Sequence, residues 1–196
     1  MDTGIIILAA GNSSRMGKPK QLLLYKGQTL LDIAVTAALN TAFRPVVVVL
    51  GAYSKEILDQ PKHPEVRYAV NQNWEQGMSS SIAFGLQTAL TENPRIENVI
   101  LTVADQVHIS GSILEDLHKM HQSAQQNIIT CSYGQTTGTP ALFNKKHFGE
   151  LLTLNGTNGA KSLINQYIED VAVIPFEMGE IDVDTVDDYN NLINSK

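Results

Sequence analysis

Cysteine is almost missing from this chain. Cys131 is the only one among 196 residues, so no intramolecular disulfide can form and no cysteine-built zinc site is available. Long apolar runs are missing too. The longest near the amino terminus, residues 5–10, falls far short of the roughly 20 residues that cross a bilayer, and no basic stretch precedes it as in a secretory leader. Basic residues are outnumbered, 14 Lys and Arg against 20 Asp and Glu, for a formal net charge of −6. Nucleic-acid surfaces need a basic stripe, so that class is disfavoured. The expectation is a soluble, unprocessed protein of a reducing cytoplasm, with neither membrane nor nucleic acid as a partner.

What remains is an ordinary globular mixture, 43% hydrophobic and 17% charged. Its length and lack of Pro/Gly/Ser linkers, repeats or low-complexity segments predict one domain over 1–196. Residues 4–8 (GIIIL), 45–50 (PVVVVL) and 98–103 (NVILTV) are continuous apolar runs of the kind buried on both faces of a parallel sheet. Residues 67–70, 127–131 and 171–175 are weaker strand candidates. Helical periodicity marks 29–42, 79–90 and 112–122, the last beginning with a capping-box pattern from Ser112 to Glu115. Strand and helix alternate, which predicts an α/β fold: a three-layer α/β/α sandwich around a mainly parallel, Rossmann-like sheet.

Charge is unevenly spread. Arg15, Lys18, Lys20 and Lys26 face a single acid, Asp2, in the first 30 residues, whereas residues 167–196 carry eight acids and one Lys. The front cluster follows the first strand, in the loop Ala9-Ala10-Gly11-Asn12-Ser13-Ser14-Arg15-Met16-Gly17-Lys18-Pro19-Lys20. Small residues let backbone N–H groups approach an anion, and three basic residues within six positions add charge-assisted bonds. The position beyond the carboxyl end of a buried strand is where open α/β sheets bind ligands. Two familiar phosphate motifs fail here. A P-loop has four residues between its glycine and Gly-Lys, but five intervene between Gly11 and Gly17. The dinucleotide fingerprint needs a second glycine where Ser13 stands.

The pattern Leu8-Ala-Ala-Gly-x-Ser-x-Arg-Met-Gly-x-Pro-Lys20-x-Leu-Leu instead resembles the signature of the GT-A-like (MobA-like) NTP transferases. These include sugar-phosphate nucleotidyltransferases and the enzymes that attach GMP or CMP to molybdopterin. The resemblance implies a GT-A-like nucleotidyltransferase fold whose loop wraps a triphosphate. Leu8, Ala9, Ala10 and Gly11 would then meet the nucleotide, and Arg15 and Lys20 would hold its phosphates and act in catalysis.

Further segments resemble the same family in the same order. Residues 71–86, with Asn71, Trp74, Gly77, Met78 and Ser81, are similar to the nucleobase-recognition segment of the molybdenum cofactor cytidylyltransferase subgroup, implying nucleotide contacts from Asn71, Gly77 and Ser81. Asp105 and Gln106 end a buried strand where the family has G-D-Q-P, implying Asp105 as a catalytic metal ligand and Gln106 beside the acceptor. Ala104 and Val107 replace the flanking Gly and Pro. Gly138-Thr-Pro140-x-x-Phe143 is similar to a family element expected near the acceptor. Residues 155–161 resemble its G-D-x-G-A-R loop, with Thr157 and Lys161 replacing the acid and the Arg. Acceptor contacts are thus expected from Gln106, Gly138, Pro140 and Lys161. Residues 181–189 resemble D-I-D-T-P-E-D-Y. Alternation along a strand puts Asp182 and Asp184 on one side and Ile181 and Val183 toward the core, which nominates Asp182 and Asp184 to complete a metal site with Asp105. Thr185 and Asp188 have capping spacing.

These expectations describe an Mg²⁺-dependent nucleotidyltransferase that joins the nucleotide of CTP or GTP to a phosphorylated acceptor, molybdopterin first, with a molybdoenzyme as a candidate receiver of the product. GMP transfer, a sugar or alditol phosphate acceptor, and a nucleotide-binding regulator or cofactor chaperone without turnover are the competing expectations. His118 and His121, at i and i+3, fit a polar helix face.

Overall fold

The three continuous apolar runs become central strands because both of their faces are covered. The computed structural model describes residues 2–156 and 159–194. In chain order it contains β1 (Asp2–Ala9), β2 (Leu24–Tyr25), β3 (Gln28–Thr29), α1 (Leu30–Leu39), β4 (Val46–Leu50), α2 (Ser54–Leu58) and β5 (Val66–Val70). There follow α3 (Met78–Glu92), β6 (Ile96–Val103), α4 (Gly111–Ser123), β7 (Ile128–Tyr133), β8 (Thr136–Asn144), α5 (Phe148–Leu152), α6 (Lys161–Gln166), β9 (Val171–Pro175) and α7 (Val186–Asn194).

One seven-stranded sheet has the order β5-β4-β1-β6-β8-β7-β9. The first four strands are mutually parallel. β8 runs antiparallel to both β6 and β7, and β9 is parallel to β7. The segment 138–143, expected as a turn into an extended stretch, lies inside the nine-residue β8. Its Thr-Thr-Gly-Thr-Pro start lacks the apolar run that made the other strands readable.

Successive residues of β1 and β4 serve opposite faces. Ile5, Ile7, Val46 and Val48 pack with α1 and α4, while Ile6, Leu8, Val47 and Val49 pack with α3, α5 and α6. This is the expected three-layer α/β/α sandwich around a mainly parallel sheet. A third, small core joins Met16 of the loop after β1 to Val107 and to Val183 and Leu192 of the tail. Burial of such side chains is worth about 1.5–3 kcal/mol each, so the carboxyl-terminal segment is fastened beside the loop.

Helix starts follow partly from the sequence. The Thr29 side chain caps α1 by accepting from the Asp32 N–H at 3.0 Å. Thr185 and Asp188 form a reciprocal capping pair at α7, with N–H···O distances of 2.7 and 3.1 Å. The expected capping box at Ser112 is not formed. α4 begins one residue earlier, with Ser110 in the extended cap position, and the Ser110 and Ser112 hydroxyls bond each other at 2.9 Å. Among the described residues no helix is long and apolar enough to cross a membrane.

Candidate active site

Register brings the loops together. Leu8 is paired with Val49 on one side and Val103 on the other, so β1, β4 and β6 end at one level and deliver the segments after them to the same edge. The loop after β1 turns at Ser13, a non-glycine residue at φ 48°, and at Gly17, φ 68°. Such backbone is costly away from functional sites. Here the Ser13 carbonyl accepts from the Met16 and Gly17 N–H groups at 2.8 and 3.0 Å, and its hydroxyl accepts from the Lys20 N–H at 3.3 Å. Buried Gln21 ties the loop's mouth by donating to the Ala9 and Gly11 carbonyls at 3.0 and 3.1 Å. A Cβ built on Gly11 would meet nothing within 4 Å, so the loop is open toward solvent there.

The loop walls a cleft of about 720 Å³. Leu8, Ala9, Ala10, Gly11, Arg15 and Lys20 line one side, and Gly77 and Ser81 from the start of α3 line the other, with Trp74 and Met78. Gly77 takes φ 97°, a conformation that favours glycine, to turn the chain into α3. Asn71 is not on this surface. It is buried, and its amide donates to the Ser80 and Ser81 hydroxyls, each at 3.1 Å, while its oxygen accepts from the Asn73 N–H at 2.9 Å. Its bonds hold the loop before α3 from behind.

Beside this cleft lies an acidic one of about 580 Å³, which shares Arg15, Lys20, Met78, Val103 and Asp105 with it. Asp105 comes from the end of β6, and Asp182 and Asp184 come from the tail. Asp182 bridges Gln106 through backbone, an antiparallel contact that holds the tail across the end of β6. Lys20 Nζ donates to Asp105 Oδ2 at 2.6 Å and to Asp184 Oδ1 at 2.7 Å, and Arg15 Nη2 donates to Asp184 Oδ2 at 2.6 Å. Burial pushes the Lys20 ammonium down, but Asp105 and Asp184 outweigh it and hold its pKa above the ordinary lysine value. Burial likewise opposes charge on Asp184, yet Lys20 and Arg15 hold its carboxyl below the usual range. Among the described residues Asp182 forms no ion pair, and Lys20 only partly offsets what raises its pKa. Burial, and then the charges of Asp105 and Asp184, raise its pKa.

The expected metal set of Asp105, Asp182 and Asp184 is therefore brought to one cleft but not to one point. Among the described residues no three His, Cys, Asp or Glu side chains converge as a metal ligand set, because Lys20 lies between Asp105 and Asp184. The donor set nevertheless fits a hard divalent cation. Four carboxylates, Asp105, Glu180, Asp182 and Asp184, line a cleft with two basic side chains, and neither base forms an ion pair with Asp182.

The acceptor-side expectations divide. Gln106 lines the acidic cleft, and its amide nitrogen donates to the Thr139 and Gly179 carbonyls at 2.9 and 3.0 Å, bracing β8 and the tail. Gly138 and Lys161 line a third cavity that adjoins the acidic cleft, and Lys161 Nζ donates to Thr136 Oγ1 at 2.9 Å. Pro140 is buried inside β8 and lines none of these three cavities. Thr157 lies outside the described residues. Ile181, expected to face the core, is 39% exposed, whereas Val183 is fully buried as expected. His118 bonds Thr3 Oγ1 and packs on Phe43, and His121 Nδ1 lies 3.2 Å from the Gln126 carbonyl.

Sequence reasoning missed three residues of the site: Gln21, Met78 and Tyr133. A polar residue ahead of Leu22-Leu23-Leu24 was a signal for Gln21, since a lone amide beside an apolar run is usually buried with partners. Tyr133 carries no sequence signal, because only the antiparallel return of β8 brings it to the cleft.

Residues 5–171 match the MobA-like NTP transferase domain, and the chain belongs to that family. Three curated relatives each span nearly all of it. The nicotine blue oxidoreductase of Paenarthrobacter nicotinovorans is 28% identical, covering 96% of this chain and 95% of its own. The purine catabolism protein PucB of Bacillus subtilis is 26% identical, covering 94% and 93%. The molybdenum cofactor cytidylyltransferase of Escherichia coli is 26% identical, covering 94% and 92%. Among solved structures, Rv0371c of Mycobacterium tuberculosis superposes with a TM-score of 0.87 at 27% identity, over 99% of this chain and 98% of its own. A manganese complex of Rv0371c matches at 0.81 and 25% identity, with 100% of both chains covered.

Proposed function

We propose that residues 1–196 form one catalytic domain, a cytoplasmic Mg²⁺-dependent nucleotidyltransferase that moves CMP from CTP to the phosphate of molybdopterin and releases pyrophosphate. The observation that carries this reading is the meeting of Arg15 and Lys20 with Asp105, Asp182 and Asp184 where two clefts join. A binding protein has no need of five charges of both signs gathered at such a seam.

In this account Arg15 and Lys20 leave Asp184 for the triphosphate and hold the α-phosphorus toward the acceptor. An oxygen of the acceptor phosphate attacks it, the α–β anhydride bond breaks, and pyrophosphate departs with the bonding pair. The acceptor is already ionised near neutral pH, so no strong general base is required. Positioning and charge neutralisation carry the rate. A divalent ion held by Asp105 and Asp182, with Asp184 beside them, would neutralise developing charge on the phosphates. The manganese complex of Rv0371c supports divalent-metal use. The oxidoreductase name of one relative raises hydride transfer, but the loop has Ser13 at the second glycine of a dinucleotide fingerprint, and hydride transfer needs no carboxylate cluster.

The test mixes the protein with Mg²⁺, molybdenum-loaded molybdopterin and either CTP or GTP, and measures pyrophosphate. Release with CTP is expected. Release with GTP alone would assign the guanylyl reaction, and release with neither would overturn the acceptor assignment.

A further inference from the structure

A fourth cavity, of about 350 Å³, shares no lining residue with the other three. Its size is that of a small-molecule site. Leu22, Leu31 and Ile57 give it an apolar floor, the last two belonging to the main core. α1 adds Asp32 and Thr36, which lie one turn apart on the same face. The turn after α2 adds Pro61, Lys62 and His63, and Tyr68 comes from β5.

Opposite charges face each other here without joining. Asp32 Oδ1 stands 3.9 Å from His63 Nε2, beyond hydrogen-bond range. Among the described residues neither side chain has another polar partner, the Asp32 N–H alone being spent on the Thr29 cap. Lys62 Nζ turns to the Leu58 carbonyl. Tyr68 belongs to the same group. Burial raises its pKa above the ordinary phenol value, the His63 backbone opposes this, and the Asp32 charge adds to it. The Tyr68 hydroxyl therefore stays protonated near neutral pH.

The lining selects against most ligand classes. A plain anion would meet Asp32, and a plain cation would meet Lys62 and His63. A polyol would bury hydroxyls against Leu22, Leu31 and Ile57 without hydrogen-bond partners. A molecule with an ammonium and a carboxylate on one carbon, and an apolar tail, meets all three demands. We propose that this cavity is an effector site for an α-amino acid with an apolar side chain. Asp32 takes the ammonium, His63 and Lys62 take the carboxylate, and the side chain lies on the floor. Leu22 gives the site a route to the phosphate loop, since it closes the same short helical turn as Lys20 and Gln21. Binding of the amino acid stands apart from the nucleotidyl-transfer reading, whereas its effect on CTP rests on that reading.

The experiment titrates the full chain by calorimetry with L-leucine and three fragments of it. Isoamylamine lacks the carboxylate, isocaproate lacks the ammonium, and glycine lacks the side chain. Leucine is expected to bind at least about tenfold more tightly than each, the scale of one charge-assisted bond or one buried side chain. Asp32→Asn, and Thr36→Met as a cavity filler, should each weaken leucine to a similar degree with Tm unchanged, both positions being partly exposed. Any fragment binding as tightly as leucine would overturn the assignment, and this series uses the unaltered protein. So would leucine that fails to saturate, or undiminished leucine binding in both variants. With Mg²⁺ present, saturating leucine should shift CTP affinity roughly fivefold or more, and CTP should shift leucine equally. An unchanged CTP affinity would overturn the effector role and leave the binding site. Leucine binding in a protein that binds no CTP would sink the transferase reading, and the effector role with it.

Discussion

The sheet has two halves that solve different problems. In β5, β4, β1 and β6, strands are parallel, apolar and buried on both faces, and their carboxyl ends present the glycine loop, the α3 start and Asp105. Around β8, which runs antiparallel to both β6 and β7, residues at the cleft end are polar or small, and the wall is completed by Tyr133, Gly138 and the tail. The first half offers a rigid, anion-ready surface. The second offers cavities whose shape depends on a few small residues. Under the proposed function, the parallel half would take the NTP and the antiparallel half the acceptor.

Lys20 belongs to both halves, and its loss should have the largest effect. Lys20→Met is expected to lower kcat/KM for nucleotidyl transfer by roughly 10²–10³-fold, as removal of one transition-state donor does, measured by pyrophosphate release. A loss confined to KM would place Lys20 in binding alone.

Packing of the parallel half comes next. A Cβ on Gly85 would stand 2.7 Å from Ile6 and 2.8 Å from Val49, so α3 lies flat on the sheet only because that atom is missing. Gly85→Ala should cost about 1–2 kcal/mol, overpacking being partly offset by better helix propensity. Urea unfolding checks this, and unchanged stability would show that α3 can shift without loss.

A smaller effect of opposite sign is expected at the seam. Removing the Lys20 ammonium leaves Asp105, Asp182 and Asp184 with Arg15, which is largely exposed and contributes little. Lys20→Met should therefore tighten Mn²⁺ binding without nucleotide by roughly three- to tenfold. Weaker binding would mean that the carboxylates do not form the cation site.

The smallest effect lies at the far edge, where Asp170 is gripped by Asn127, Lys146 and His147. Burial opposes its charge, but these partners together hold its pKa far below the usual carboxylate range. A depressed folded pKa gives stability that is present above the unfolded value, about 4, and is lost as pH falls below it. Asp170→Asn should flatten the acid limb of the stability profile below about pH 4. An unchanged acid limb would show that this carboxylate does not govern it.

The two halves also differed in how far the sequence revealed them. GIIIL, PVVVVL and NVILTV read directly as buried parallel strands, and the loop's basic residues announced phosphate chemistry. β8 did not read as a strand, because the alternation of Thr, Gly and Pro at its start carries turn chemistry, and its pairing is decided by β6 and β7 on either side. The tail acids were nominated by resemblance and alternation, but the Asp184 contact with Lys20 spans 164 residues, which no local period encodes. Alternation failed at Ile181, where Asp182 makes only an isolated bridge and no strand forces its neighbours inward. Asn71 and Gln106 look like ligand residues in sequence. In the fold both are buried and their amide nitrogens brace neighbouring segments, while Gln106 also lines the acidic cleft.

The most direct test of the account is pyrophosphate release by Asp105→Ala beside the unaltered protein, with Mg²⁺, CTP and molybdenum-loaded molybdopterin. The account predicts that Mg²⁺-dependent turnover disappears while the melting temperature and circular dichroism stay as they were. Full activity in the variant would contradict it, since the seam between the two halves would then not be where the phosphates react.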